Sequence, residues 1–133
     1  MMIVHITHHI IMSFFESSLE LSPNSFKQDD ITFLKEGMCC VVLYYVPWCP
    51  YCKKIEGLWK ELSTKTTFFC VKALNCEKYK EFATMMREEL EGFRGYPTIV
   101  FYKQGKPVEI YKNERNLESL LAACYRVCSG VSV

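Results

Sequence analysis

The sequence predicts an α/β domain in which a central mixed β-sheet carries helices on both faces. Three observations predict it. Strand-like apolar runs alternate with helical patterns, and the order closes on a hairpin and a helix. Two cysteines, Cys49 and Cys52, stand two residues apart where one such run gives way to a helix. A proline, Pro97, immediately precedes another apolar run, Thr98-Ile99-Val100-Phe101-Tyr102.

The elements follow in order. Residues 1–17 read as a poorly structured N-terminal extension, and 18–133 as the domain. Met1 to Phe15 is apolar but broken by His5, His8 and His9, and the first basic residue is Lys27. A secretory leader has a basic start and a small-residue cleavage site, and neither is visible. Met12 is an alternative start, and the three histidines have no carboxylate or cysteine neighbour to complete a metal site. Residues 19–21 form a short edge strand. Ser22-Pro23-Asn24-Ser25 is a turn opening a helix over 26–35, which Gly37 ends. Residues 40–46 are a buried strand. Ile55, Leu58, Trp59 and Leu62 then share one helical face. Residues 67–71 are a second strand. Asn75 caps a helix whose stripe is Tyr79, Phe82, Ala83, Met86 and Leu90. Met85 and Met86 on that helix read as core filler. The Pro97 strand, a turn at Gln104-Gly105-Lys106 and a strand over 107–111 make a hairpin. The last helix buries Leu117, Leu120, Leu121, Cys124 and Cys128.

Composition narrows the function. The 133 residues make one domain, large enough to bury a core. A formal charge of +1, with no block of like charges, argues against nucleic acid as a partner. No apolar run is long enough to span a membrane. Eight cysteines are too few for a disulfide scaffold. Cys39, Cys40, Cys70, Cys124 and Cys128 lie in apolar runs or on a helical stripe and read as small buried hydrophobes. Free thiols suit a reducing compartment, so the cytoplasm is the expected location. Cys76 is ambiguous.

A pair such as Cys49 and Cys52 forms a small, reversible disulfide, and amides at a helix start favour a thiolate on the first cysteine. Zinc sites and structural disulfides use the same spacing. A zinc site lacks support here, since the chain holds no second Cys-x-x-Cys.

Together, the Cys49-Pro50-Tyr51-Cys52 junction and Gly95-Tyr96-Pro97-Thr98 resemble the thioredoxin superfamily. Val46-Pro47-Trp48-Cys49 resembles the lead-in of protein disulfide isomerase domains. Phe93-Arg94-Gly95-Tyr96-Pro97-Thr98 is similar to that family's segment around its cis-proline, and Tyr111 and Arg115 match its Tyr-x-x-x-Arg pattern. The Pro50-Tyr51 dipeptide is the one typical of glutaredoxins, whose late Gly-Gly before Cys-Asp is missing. The resemblance covers about residues 18–128 and implies the thioredoxin fold.

It implies an enzyme reducing protein disulfides. Cys49 is the nucleophile and Cys52 the resolving thiol. Trp48, Pro50, Tyr51, Tyr96 and Pro97 contact substrate, Pro97 in cis, and Arg115 modulates the pair. No cofactor beyond the Cys49–Cys52 disulfide and no metal are implied. The partners are disulfide-containing proteins and an unidentified thiol reductant or oxidant, with the chain a monomer. An isomerase or oxidase in a secretory compartment, and a non-catalytic binding module, are the competing readings. Three positions depart from the family. Leu43 stands where thioredoxins bury an Asp and isomerase domains a Glu, and Ala73 stands where the neighbouring Lys would be. Gly57 replaces a helix proline.

Overall fold

The computed structural model describes residues 12–27, 39–65 and 67–129. Within them a five-stranded sheet is built from β1 (Glu20–Leu21), β2 (Cys39–Tyr45), β3 (Cys70–Asn75), β4 (Thr98–Lys103) and β5 (Lys106–Ile110), in the order β1-β3-β2-β4-β5. β3 runs parallel to β1 and β2, whereas β4 is antiparallel to both β2 and β5. The described helices are α1 (Pro50–Ser63), α2 (Lys80–Glu89) and α3 (Leu117–Ser129). The mixed sheet expected from the sequence is therefore present.

β2 is hydrogen-bonded on both edges, and Cys40 to Tyr45 are all buried. Burial on both faces explains a continuous apolar run where a half-exposed strand would alternate. A disulfide joins Cys39 to Cys128 on α3, so by alternation Val41, Leu43 and Tyr45 face the α1–α3 layer. Cys40, Val42 and Tyr44 face the other side. There the Tyr44 hydroxyl meets that of Tyr102 at 2.7 Å, and Phe26 packs between Tyr102 and Phe82 of α2. Helices thus cover both faces. The β4–β5 turn places Gln104 and Gly105 at φ 54° and 83°, the two positive values a two-residue hairpin needs.

Several boundaries differ from the sequence reading. β3 occupies Cys70–Asn75 rather than 67–71, because its ladder with β2 starts at Cys40 opposite Cys70. Phe68 and Phe69 instead pack against the ring of Tyr125 on α3. Asn75 does not cap α2. It ends β3, and its Oδ1 accepts from the amides of Glu77 and Lys78, closing the turn before the helix. Ser22 caps only a short 3-10 turn, Pro23–Ser25. The helix expected over 26–35, and Gly37, fall almost wholly outside the described residues, as do residues 1–11.

The expected boundary at residue 18 is corrected. The Phe14 ring stacks on Tyr45 with centroids 4.6 Å apart, its amide donates to the Tyr45 hydroxyl, and Phe15 is buried. Asn75 Nδ2 donates to the Met12 carbonyl. The domain therefore includes Met12 to Ser17, which cover a tyrosine face that would otherwise be wet.

The reading of five cysteines as free thiols is corrected for four of them. Cys39–Cys128 and Cys40–Cys70 are disulfides spanning 89 and 30 residues. Cys40 and Cys70 are directly opposed in the parallel ladder, with Cα atoms 4.4 Å apart. Cys124, like Cys76, is free and buried.

Glu20 is a half-buried carboxylate in the sheet. Its Oε2 accepts from the Tyr45 hydroxyl at 2.6 Å and from the Phe15 amide at 3.2 Å. Burial raises its pKa to about 7, against the opposing effects of Tyr45, the Phe15 amide and Lys78. Folding therefore takes up a proton at this carboxyl between its ordinary value of 4.5 and about 7, and its contribution to stability falls as pH rises across that interval. Glu20→Gln is expected to lose this part of the pH dependence. Melting temperatures of both proteins at pH 5 and pH 8 test it, and an equal fall in both would rule the assignment out.

Candidate active site

β2 ends at Tyr45, and a turn delivers Cys49 to the N-cap of α1 with φ −85° and ψ 125°. Pro50 occupies the first turn, where its missing N–H costs nothing. No side chain caps the helix, so the first-turn amides are free to meet the Cys49 sulfur. Cys49 is half-exposed and Cys52, within the first turn of α1, is fully buried.

The two thiols have opposite electrostatics. For Cys49 the largest influence is burial, which raises the pKa. The amides of Cys52 and Tyr51, the Cys52 thiol and the Arg115 charge together outweigh it, and the pKa is lowered. For Cys52 burial dominates and pushes the pKa up to about 12. No carboxylate counters it; the only lowering influences are the Val46 backbone and Arg115.

The other expected residues converge on this pair. The Cys49 thiol donates to the Tyr96 carbonyl at 3.8 Å, and the Tyr96–Pro97 peptide is cis. Among the described residues the Tyr96 amide has no backbone partner. Arg115 Nη2 donates to the Pro97 carbonyl at 3.2 Å. Trp48 and Tyr51 are 64% and 63% exposed, large apolar surfaces on either side of Cys49. Trp48 Nε1 donates to Glu77 at 2.9 Å, and the Lys54 ammonium lies over the Tyr51 ring. All eight site residues named from the sequence thus lie at or beside the α1 N-terminus. Among the described residues no group of His, Cys, Asp or Glu is placed to hold a metal ion.

A thioredoxin family model matches residues 17–125. The chain belongs to the thioredoxin family. It is 34% identical over 104 residues to the protein disulfide-isomerase erp38 of Neurospora crassa, covering 77% of this chain and 27% of that protein. It is 32% identical over 95 residues to the human protein disulfide-isomerase TMX3, covering 68% and 20%. Among solved structures, the J-Trx1 fragment of ERdj5 superposes with a TM-score of 0.70 at 21% identity, covering 86% of this chain and 51% of that one. A chain from the complex of ferredoxin:thioredoxin reductase with thioredoxin f2 gives 0.63 at 27% identity, covering 82% and 93%. The chain therefore spans between a fifth and about a quarter of the length of these two protein disulfide-isomerases.

Within this family the three departures acquire geometry. Leu43 is fully buried and lies between Ala73 on β3 and Ile99 on β4. The acid and the lysine expected of the family are thus replaced by two apolar side chains in direct register. Gly57 lies within an unbroken α1, and a Cβ there would meet nothing within 4 Å.

Two participants escaped the sequence reading. Cys76 is buried close enough to Cys52 and Tyr96 to feel both, and burial foremost pushes its pKa to about 12. Arg87 of α2 donates to the Tyr96 hydroxyl at 2.7 Å and lies over its ring. Neither carries a sequence signal, since each contact joins elements separated by a turn of undetermined path. Alkylation of the reduced protein is expected to modify Cys49 with an apparent pKa below that of an ordinary thiol and to leave Cys52 and Cys76 unmodified near neutral pH. Arg115→Gln should move the Cys49 midpoint upward. An unmoved midpoint in that variant would remove Arg115 from the site's electrostatics.

Proposed function

We propose that this thioredoxin-family chain is a thiol–disulfide oxidoreductase working through Cys49 and Cys52. One observation carries the reading: two neighbouring thiols, one half-exposed with a lowered pKa and one buried with a raised pKa. An exposed thiolate is a nucleophile, while a buried thiol waits until a bond forms beside it.

In the reducing direction the Cys49 thiolate attacks one sulfur of a substrate disulfide. That S–S bond breaks, the distal substrate sulfur leaves as a thiolate, and a mixed disulfide forms. Cys52 then loses its proton to water or the departing thiolate and attacks the Cys49 sulfur. The second substrate thiol is released and the Cys49–Cys52 disulfide remains, two electrons having passed to the substrate. Tyr96, with its amide unpaired in the backbone and its carbonyl beside Cys49, holds the substrate as an added strand. Trp48, Pro50, Tyr51 and Pro97 border that strand. The same steps reversed oxidise a dithiol. A separate thiol reductant or oxidant resets the pair, and the chain acts as a monomer.

Cys49→Ser is expected to abolish disulfide exchange, whereas Cys52→Ser should accumulate mixed disulfides with substrate. Mass spectrometry of the trapped species checks this, and equal trapping by both variants refutes the division of roles.

A second reading concerns the compartment. Free thiols would suit the cytoplasm, yet Cys39–Cys128 and Cys40–Cys70 are bonded, and disulfides persist in oxidising surroundings. Several relatives are named protein disulfide isomerases. Both observations support an oxidising, secretory setting in which the pair oxidises or isomerises folding chains. Alkylation of the protein in its native source, before any reductant is added, should leave these four cysteines protected. Four modified cysteines would return the reading to the cytoplasm.

A further inference from the structure

A cleft of about 350 Å³ opens beside the Tyr96–Pro97 peptide, lined in part by Gly92, Arg94, Lys112 and Arg115. It holds three cationic side chains and no acidic one. That is a local excess in a chain with 16 basic and 15 acidic residues. Some cations elsewhere in the domain sit against carboxylates, as Arg126 does on Glu109, Lys80 on Glu77 and Lys60 on Glu56, while others, such as Lys54 over Tyr51 and Arg87 on Tyr96, do not. Arg94 and Lys112 have no such partner among the described residues.

Backbone geometry gathers these charges. Gly92 takes φ 97°, and a Cβ there would meet Ile110 at 3.3 Å and the Lys112 Nζ at 3.6 Å. That φ favours glycine, and the Lys112 ammonium lies beside the chain leaving α2. Arg94 follows two residues later. Arg115 reaches in from the segment before α3, fixed on the Pro97 carbonyl. All three cations border the peptide against which the substrate strand would lie.

We infer that this cleft is a specificity subsite for a carboxylate, supplied by an Asp or Glu side chain close to the reacting cysteine of a peptide substrate. The inference rests on the oxidoreductase reading and names the substrate class of the same site. Arg115 has its guanidinium committed to Pro97 and to favouring the Cys49 thiolate. Arg94 and Lys112 make no ion pair among the described residues, and an incoming carboxylate supplies them with a counter-charge. Partly screened pairs of this kind steer and discriminate more than they tighten binding.

The test uses three disulfide-linked peptides of one sequence, with Glu, Gln or Lys two residues from the cysteine, and glutathione disulfide as a fourth substrate. The expected order of kcat/KM is Glu, then Gln, then Lys, with about tenfold between the extremes at low salt. That gap should narrow in 0.5 M salt, where charges beyond about 4–5 Å are screened. Arg94→Gln combined with Lys112→Gln is expected to bring the three peptides within about twofold of one another. Reduction of all three peptides at one rate by the unaltered protein overturns the subsite and leaves the oxidoreductase reading standing. Reduction of none overturns that reading itself. A preference for Lys, or a Glu preference that survives the double substitution, overturns the assignment to this cleft. A response of glutathione disulfide alone to the double substitution assigns the charges to a free tripeptide and overturns the acidic side chain.

Discussion

The structure depends on β2 being paired on both edges and buried on both faces. That demand leaves no room for polar side chains in the strand, except where a partner waits, as the Tyr44 and Tyr45 hydroxyls find in Tyr102 and Glu20. It also fixes what happens at either end. At the N-terminal end, Cys39 and Cys40 point to opposite faces, so one reaches α3 and the other reaches β3. At the C-terminal end the strand directs Cys49 to the start of α1, where amides rather than side chains set its charge state.

The Leu43–Ala73 pair follows from the same demand. A carboxylate buried in this strand needs a buried cation beside it, and removing one partner leaves a charge that costs several kcal/mol. Two apolar residues in register avoid the problem. The consequence falls on Cys52, beside which no carboxylate stands among the described residues to accept its proton. One half-buried carboxylate of this sheet, Glu20, lies instead in the same row as Leu43 but one strand beyond Ala73. There it meets a tyrosine hydroxyl and a backbone amide, neutral donors whose pull toward the ionised form burial outweighs. This carboxylate lies in the sheet away from the thiol pair.

Much of this was legible in the sequence for identifiable reasons. Strong periodicity located α1 and α3, and the turn residues Gln104-Gly105-Lys106 located the hairpin. The Cys49-Pro50-Tyr51-Cys52 junction and the segment before Pro97 marked both halves of the site, because each depends on local chain direction. The disulfides were not legible, because a strand register and a helix end must be known before Cys40 and Cys70, or Cys39 and Cys128, are seen to meet. The docking of Phe14 and Phe15 was hidden for the same reason: their partner, Tyr45, lies far along the chain and carries no pattern that marks an uncovered face. Phe68 and Phe69 misled directly. An apolar aromatic run reads as a strand, yet here it forms a pad under Tyr125.

Eight cysteines in one small domain pose a problem of selectivity, and burial solves it. Thiol–disulfide exchange needs a thiolate, and a group with a pKa near 12 is ionised to about one part in 10⁵ at pH 7. Cys52, Cys76 and Cys124 are all in that range, each raised foremost by desolvation. Cys49 alone among the free cysteines has its pKa lowered. The structural bridges lie at the far end of β2, about 20 Å of strand from the site at roughly 3.3 Å per residue. A half-exposed nucleophile held at one end of a rigid strand cannot reach bridges at the other within its own molecule. Desolvation that silences Cys76 and Cys124 also silences Cys52, until attack on substrate brings a disulfide bond against it. The proximity of that bond, rather than an internal base, is what the fold supplies to the second step.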